Sequence, residues 1–357
     1  MGRLIRISLQ LVNHLRMTLK QLLASLALIT AITGACAQPR FNPAEPPAHD
    51  PVCIESDGTW YLFSTGFGVS IFTSTDQVNW KFSGKVFDTP PQWALDEVPG
   101  YRGHTWAPDI SFHDGKYYLY YSCSSFGKND SAIGVATNIT LDPKSPDYKW
   151  EDHGPVVRSW GGRDNWNAID PNLFVDTDGT AWLSFGSFWG GLKLVQLDST
   201  LTKPATPEVW YPLCIRPEGT AEDTSKTDDA IKADPRGKAF DPGNGAVEAP
   251  FIVKHEDWYY LFASYDLCCR GPKSTYKVIC GRAKAVTGPY FDKDGVSLLE
   301  GGGTVVVEGN EQYPGVGHCA VVGDKLYFHG YDKKIKYNAH LLVRPIDWTG
   351  GWPVVKL

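Results

Sequence analysis

Residues 167 to 187 read NAIDPNLFVDTDGTAWLSFGS: an Asp-Pro step, a short apolar stretch, an Asp-Gly turn, then an alternating segment rich in aromatics. Alternation after a turn signals a β-strand packed on both faces. The phrase recurs along the chain. DGTWYLFST begins at Asp57, DGKYYLYYS at Asp114, DGTAWLSFGS at Asp178, EDWYYLFAS at Glu256 and GDKLYFHGY at Gly323. With Asp57, Asp114, Asp178, Asp257 and Asp324 as markers, the spacings are 57, 64, 79 and 67 residues. Each interval has room for about four strands, which is the pitch of a propeller blade. Five echoes therefore predict an all-β fold, a five-bladed β-propeller around a central channel. A pair of β-sandwiches would show turn signals but supplies no reason for a shared phrase. Helical signals are sparse, because 36 Gly and 25 Pro interrupt most windows long enough for a helix.

Upstream of each turn lies a second matching piece: HDPVCIESDG, WAPDISFHDG, IDPNLFVDTDG, EAPFIVKHED and GHCAVVGD. Equivalent pieces should stand at the mouth of the innermost strand of each blade. A ring of such strands brings Asp50, Asp109, Asp170, Glu248 and His318 toward one axis, although they are far apart in the chain. A single Asp-Pro step is an ordinary turn starter. Several carboxylates in register on a repeating frame are different. They are what cleavage of a glycosidic bond needs: an acid for the leaving oxygen, a base for water, and a third group to position and tune them.

Composition narrows the partner. Of 357 residues, 13% are aromatic, including 13 Trp and 17 Tyr, and flat rings in a cleft suit sugar faces. The N-terminus carries Arg3, Arg6, Arg16 and Lys20, no acids, and then the apolar run Leu22 to Ala37, 16 residues long. That layout is an export signal, too short to span a bilayer as a helix, with cleavage after Ala37 fitting Ala35-Cys36-Ala37. Residues 1–37 are read as signal peptide and 38–357 as one catalytic domain. Met17 would begin a tidier signal than Met1, and lipidation at Cys36 is the rival processing, opposed by Thr33 where such signals usually carry Leu. Loss of residues 1–37 removes four positive charges and takes the formal charge from -6 to -10. An acidic protein excludes nucleic acid and other polyanions as natural partners, and a neutral substrate fits, with no membrane attachment once the signal is gone.

Seven cysteines follow the signal: Cys53, Cys123, Cys214, Cys268, Cys269, Cys280 and Cys319. No CxxC pair occurs, which argues against a zinc site. An odd count forbids complete pairing; a link from Cys268 or Cys269 to Cys280 across a hairpin and scattered buried thiols are both open readings. The polar segment RPEGTAEDTSKTDDAIKADPRGKAFDPGNG, residues 216–245, accounts for the longest spacing and leads into the strand carrying Glu248, so it is expected to rim the cleft.

HDP at 49–51, WAPD at 106–109, SSFGKNDSAIG at 124–134, WNAIDP at 166–171, GSFWGG at 186–191, EAP at 248–250 and DLCCRG at 266–271 together resemble glycoside hydrolase family 43. Within it they look most like arabinanases that cut α-1,5-linked L-arabinan, the neutral side chain of plant pectin. The likeness runs from about His49 to Trp352. It implies a five-bladed propeller and inversion at the anomeric carbon. Asp50 would be the general base, Glu248 the general acid, and Asp170 the group that orients substrate and keeps the acid's pKa up. For inversion, the base and acid should stand roughly 6.5–9.5 Å apart. Trp106, Phe126 and Gly127, Asn167, Ala168 and Ile169, and Ser187, Phe188 and Trp189 match positions that line the family's cleft. His318 matches a residue beside a metal ion, usually calcium, with water completing its shell; one imidazole is an unusual ligand for an oxygen-seeking ion. Asp109 is not a catalytic position in the family and is read as structural. The rivals are an exo-acting arabinofuranosidase or β-xylosidase of the same family, and a sugar-binding propeller without catalysis.

Overall fold

The computed structural model describes residues 41–217 and 245–357. The export signal and most of the polar insert, 218–244, lie outside the described residues.

The chain begins with β1 (Val52–Ser56), β2 (Thr59–Ser64), the two-residue β3 (Gly66–Phe67), β4 (Ser70–Ser74) and β5 (Lys81–Lys85). A short helix α1 (Gln92–Glu97) precedes β6 (His104–His113), β7 (Lys116–Cys123), β8 (Ser131–Asn138) and β9 (Glu151–Ser159). Then come β10 (Asn172–Val175), β11 (Ala181–Phe185), β12 (Leu192–Gln196) and β13 (Trp210–Cys214). Next are β14 (Val247–His255), β15 (Trp258–Tyr265), β16 (Lys277–Ala283) and β17 (Thr304–Val307), and finally β18 (Val316–Val322), β19 (Lys325–Asp332) and β20 (Asn338–Pro345). They form five antiparallel sheets in the orders β1-β2-β4-β5, β3-β6-β7-β8-β9, β10-β11-β12-β13, β14-β15-β16-β17 and β18-β19-β20.

Each sheet is a meander in which strand order follows chain order, except that the short β3 leaves the first sheet to pair with β6 in the second. The turns explain why. Asp57 and Gly58, and likewise Asp114 and Gly115, all have positive φ, as a two-residue hairpin following the right-handed twist of its strands requires. Strands β1, β6, β10, β14 and β18 are innermost: each touches the next, and β18 touches β1. The contacts close a ring, and the fold is the expected five-bladed propeller. Among the described residues the last blade has three strands, and Leu341 in β20 donates its N–H to Pro46 C=O (3.0 Å), tying the segment before β1 to the last blade.

The echoed phrases are the turn plus the second strand of each blade. Their burial is two-sided as expected, and in β7 every residue after Lys116 is buried. The apolar mass lies between blades. Tyr118, Tyr120, Ile133 and Val135 of one blade pack on Leu173, Leu183, Phe185 and Val195 of the next, and equivalent layers join the third blade to the fourth and the fourth to the fifth. Full burial of such a side chain stabilises the fold by about 1.5–3 kcal/mol. Close packing between faces leaves the polar groups at the ring's mouth as the place where ligand can enter.

Candidate active site

One residue in each innermost segment has positive φ: Asp50, Ala107, Asp170, Ala249 and His318. Four of them precede Pro, and non-Gly residues held this way cost of order 1–3 kcal/mol each, which the surrounding ring has to offset. The shared kink defines the true structural register. Asp50, Asp170 and His318 are equivalent, Glu248 lies one residue earlier and Asp109 two residues later. Counting back from the turns sets His318 against Pro51 and Pro108, each six residues before its marker Asp; the kink instead puts His318 level with Asp50, and Cys319 occupies the proline place.

The kinks turn backbone N–H groups across blade boundaries, where side chains receive them. Ala107 donates to Thr65 Oγ1 (2.8 Å), Asp170 to Ser122 Oγ (3.0 Å), His318 to Ser264 Oγ (2.9 Å) and Asp50 to His329 Nδ1 (3.2 Å). In the remaining case the acceptor is an acid: Ala249 donates to Asp170 Oδ2 (3.2 Å). Asp170 therefore grips the segment that carries Glu248. Asp109, in contrast, turns into the wall, buried and accepting the Leu173 N–H (2.7 Å). It is structural.

A cleft of about 520 Å³ opens over the ring, and Asp50, Asp170, Glu248 and His318 all line it. Asp50 is set among histidines. Its Oδ1 lies 2.8 Å from His49 Nδ1 and 3.1 Å from His318 Nδ1, and its Oδ2 accepts from Thr65 Oγ1 (2.5 Å). Burial alone would raise its pKa, but the charges of His49 and His318 outweigh it and hold the carboxyl well below its usual range. Burial would lower the pKa of His318, yet Asp50 beside it carries it up to about 9. His329, behind them, is kept neutral by burial and by the charge on His49, consistent with its Nδ1 accepting the Asp50 N–H.

Glu248 has hydroxyls for neighbours. Its Oε1 accepts from Tyr276 OH and its Oε2 from Ser187 Oγ, both at 2.8 Å. Burial and the nearby Cys269 raise its pKa, and the two hydroxyls only moderate that rise. Asp170 is raised as well, by burial first and, beyond the opposing pull of His318, by the charge of Glu248. One cleft thus holds a carboxylate kept ionised and a carboxyl group biased toward its neutral form.

Trp106, Phe126, Gly127, Asn167, Ile169, Ser187, Phe188 and Trp189 also line the cleft. Phe126 is 81% exposed, as a platform for a flat ligand face would be. The loop bearing Ser187, Phe188 and Trp189 is fastened to β14, since Ser187 bridges Glu248 and Phe188 N–H donates to Val247 C=O (2.8 Å). Asn167 is anchored by Ser131 Oγ (2.7 Å). Ala168 departs from expectation: it is wholly buried in the layer between blades, its N–H on Ser159 Oγ, and does not line the cleft. The seven described cysteines are unpaired, and Cys280 is buried with its thiol on Gly281 C=O, so the considered link to Cys268 or Cys269 is not made.

Sequence reasoning passed over Thr65, Tyr276, His329 and Tyr331. Tyr331 OH lies 2.9 Å from His49 Nε2, whose ring stacks on His329 at 3.9 Å. A signal for two of them was present: the phrase copies end in Thr65, Ser122, Ser187, Ser264 and Tyr331, five hydroxyls. All five reach the ring. No such repetition marks Tyr276.

For a cation, His318 has Nδ1 committed to Asp50, which leaves Nε2 as the atom it could present. Calcium takes six to eight oxygen ligands, so this residue fits only an ion that keeps most of its water.

The geometry has close relatives. An extracellular exo-α-(1→5)-L-arabinofuranosidase of Cellvibrio japonicus is 45% identical over 332 residues, 92% of this chain and 91% of that one. An extracellular endo-α-(1→5)-L-arabinanase of Bacillus subtilis is 41% identical, covering 85% of this chain and 86% of its own. The solved structure of a Cellvibrio cellulosa α-L-arabinanase complexed with arabinohexaose superposes with a TM-score of 0.77 at 46% identity, over 87% of this chain and 95% of that one. The model of glycosyl hydrolases family 43 matches residues 42–353, which is the whole ring with its acids, and the chain belongs to that family.

Proposed function

We propose that the protein is an exported glycosidase that hydrolyses the α-1,5-arabinofuranosidic bonds of arabinan with inversion, cutting internally or releasing short oligosaccharides. The observation that carries this reading is the split between two acids in one cleft. Asp50, held ionised by His49 and His318, takes a proton from water as the water oxygen bonds to the anomeric carbon. Glu248, biased toward its neutral form by burial, gives its proton to the departing glycosidic oxygen. Environments that push two carboxyl groups apart in this way assign base and acid. Asp170 acts through Glu248, holding the Ala249 N–H next to it. An exposed aromatic and an acidic chain of formal charge -6 suit a neutral sugar polymer.

An exo-acting mode is the second reading, favoured by the 45% identity to the relative named as exo-acting. Export accords with the basic then apolar N-terminus and with relatives named extracellular. Calcium belongs to the proposal at His318 Nε2 as a largely hydrated ion that would take the place of the ring's second proton and supply the positive charge beside Asp50 in its stead.

Linear arabinan incubated with the protein tests the reading. The first products observed by proton NMR should be β-anomers, and a ladder of oligomers marks internal cuts whereas one short oligomer marks end-trimming. Absence of new reducing ends, or α-anomeric first products, would overturn it.

A further inference from the structure

Two neighbouring thiols stand in the cleft wall, and the hydrolytic chemistry uses neither. Cys268 and Cys269 both line the cleft, and their Sγ atoms lie 2.6 Å apart, well inside the contact distance of unbonded sulfurs. Cys269 is exposed and Cys268 partly so, while Cys53, Cys123, Cys214, Cys280 and Cys319 are all buried. Cys269 is also gripped by polar groups. Its Sγ lies 3.7 Å from His49 Nε2 and 3.5 Å from Tyr331 OH, and its N–H donates to that same hydroxyl (2.9 Å).

We infer that Cys268 and Cys269 are a redox-active pair that closes into a vicinal disulfide, a reversible modification site on the wall of the substrate cleft. Three observations support it independently. The thiols are already together, so closure needs no movement of the backbone between elements. Cys269 has the surroundings of an attacking thiolate: its neighbouring thiol and then His49 and Tyr331 outweigh burial and bring its pKa down to about 5, whereas Cys268 is raised. The remaining five described thiols are buried, which makes the chemistry selective among them.

The reaction balances as thiol–disulfide exchange with a soluble low-molecular-weight disulfide. The Cys269 thiolate attacks one sulfur of that disulfide and expels its partner as a thiolate. Cys268 then gives up its proton and attacks Cys269 Sγ, closing the ring and releasing the second small thiol. The protein pair is oxidised by two electrons and the small disulfide reduced by two. Adjacent Cα atoms are about 3.8 Å apart, below the span of 4.4–6.8 Å that disulfides usually bridge, so the product is strained and readily reduced. Such bonds are the labile, regulatory kind.

If the hydrolase reading holds, on which this consequence alone rests, closure also removes a negative sulfur from beside Glu248 and His49. Oxidation should then change turnover reversibly.

Native protein is incubated with oxidised glutathione, its accessible thiols counted and its peptides mapped, without any substrate. The expected result is loss of two native thiols and a peptide short of two hydrogens across Cys268 and Cys269, reversed by dithiothreitol. Cys268→Ser should instead trap one glutathione on Cys269, and Cys269→Ser should trap none. No loss of thiols, adducts spread over the buried cysteines, or an unchanged response in Cys269→Ser would overturn the pair. Turnover of arabinan oligosaccharides is measured separately, so a failed hydrolase reading leaves the thiol result standing.

Discussion

Asp50 and Glu248 border the same cleft, yet their surroundings act in opposite directions. Asp50 has two imidazoles within 3.1 Å of one oxygen, and their charge outweighs burial. Glu248 has a phenol and an alcohol at 2.8 Å, donors without charge, and there burial prevails. The ring of blades supplies the same kink on both sides; only the neighbouring side chains differ. A catalytic division of labour can therefore be written on a nearly symmetric frame by choosing what stands one hydrogen bond away.

Removing either acid should break that division most severely. Glu248→Gln and Asp50→Asn should each lower kcat on linear arabino-oligosaccharides by about 10²–10⁴-fold while calorimetry still shows binding. The leaving group tells the two apart. With an activated aryl arabinofuranoside, which departs without protonation, Glu248→Gln should recover most of its loss and Asp50→Asn should not. Equal recovery would erase the assigned roles.

The grip of Asp170 on the acid's segment is the next target. Asp170→Asn keeps an acceptor for the Ala249 N–H but replaces an ionisable carboxyl coupled to Glu248 with a neutral amide, so kcat should fall by tens-fold, about 2 kcal/mol in barrier. The pH profile must move as well. The acid works while protonated, so activity declines as pH rises; without the second carboxyl the pair no longer shares its protons in two coupled steps, its upper step is lost, and the alkaline limb shifts to lower pH. An unmoved limb would leave Asp170 a purely structural role.

The sequence made the frame legible because a repeated unit writes the same turn and the same alternation five times. It brought Asp50, Asp170, Glu248 and His318 to one cleft for the same reason. Its register slipped by one residue at His318, since the fifth copy has Cys319 where the others have Pro and the kink itself leaves no letter in the chain. Ala168 was misplaced because it is the centre of a tight turn, Ile169 N–H donating to Asn167 C=O (2.9 Å), which leaves its neighbours at the cleft and its own methyl in the layer between blades. Tyr276 stayed hidden: it reaches Glu248 from the stretch before β16, outside every repeated phrase.

The smallest expected effect is also the most direct test of the neutral donors. Tyr276→Phe and Ser187→Ala each remove a hydroxyl that stabilises the ionised form of Glu248. Loss of such a donor raises the pKa, so the acid stays protonated to higher pH. The alkaline limb of kcat/KM should move upward by about one pH unit for each, opposite in sign to Asp170→Asn, because a hydrogen bond to a charged group is worth about 1.5–3 kcal/mol. Ser187→Ala is the cleaner variant, since a phenol also fills space: Tyr276 is wholly buried against the Cβ side of Gly317, and its ring lies 5.8 Å from His329. Were both substitutions to shift the limb downward, the hydroxyls would be favouring the protonated acid, and burial alone could no longer explain why Glu248 differs from Asp50.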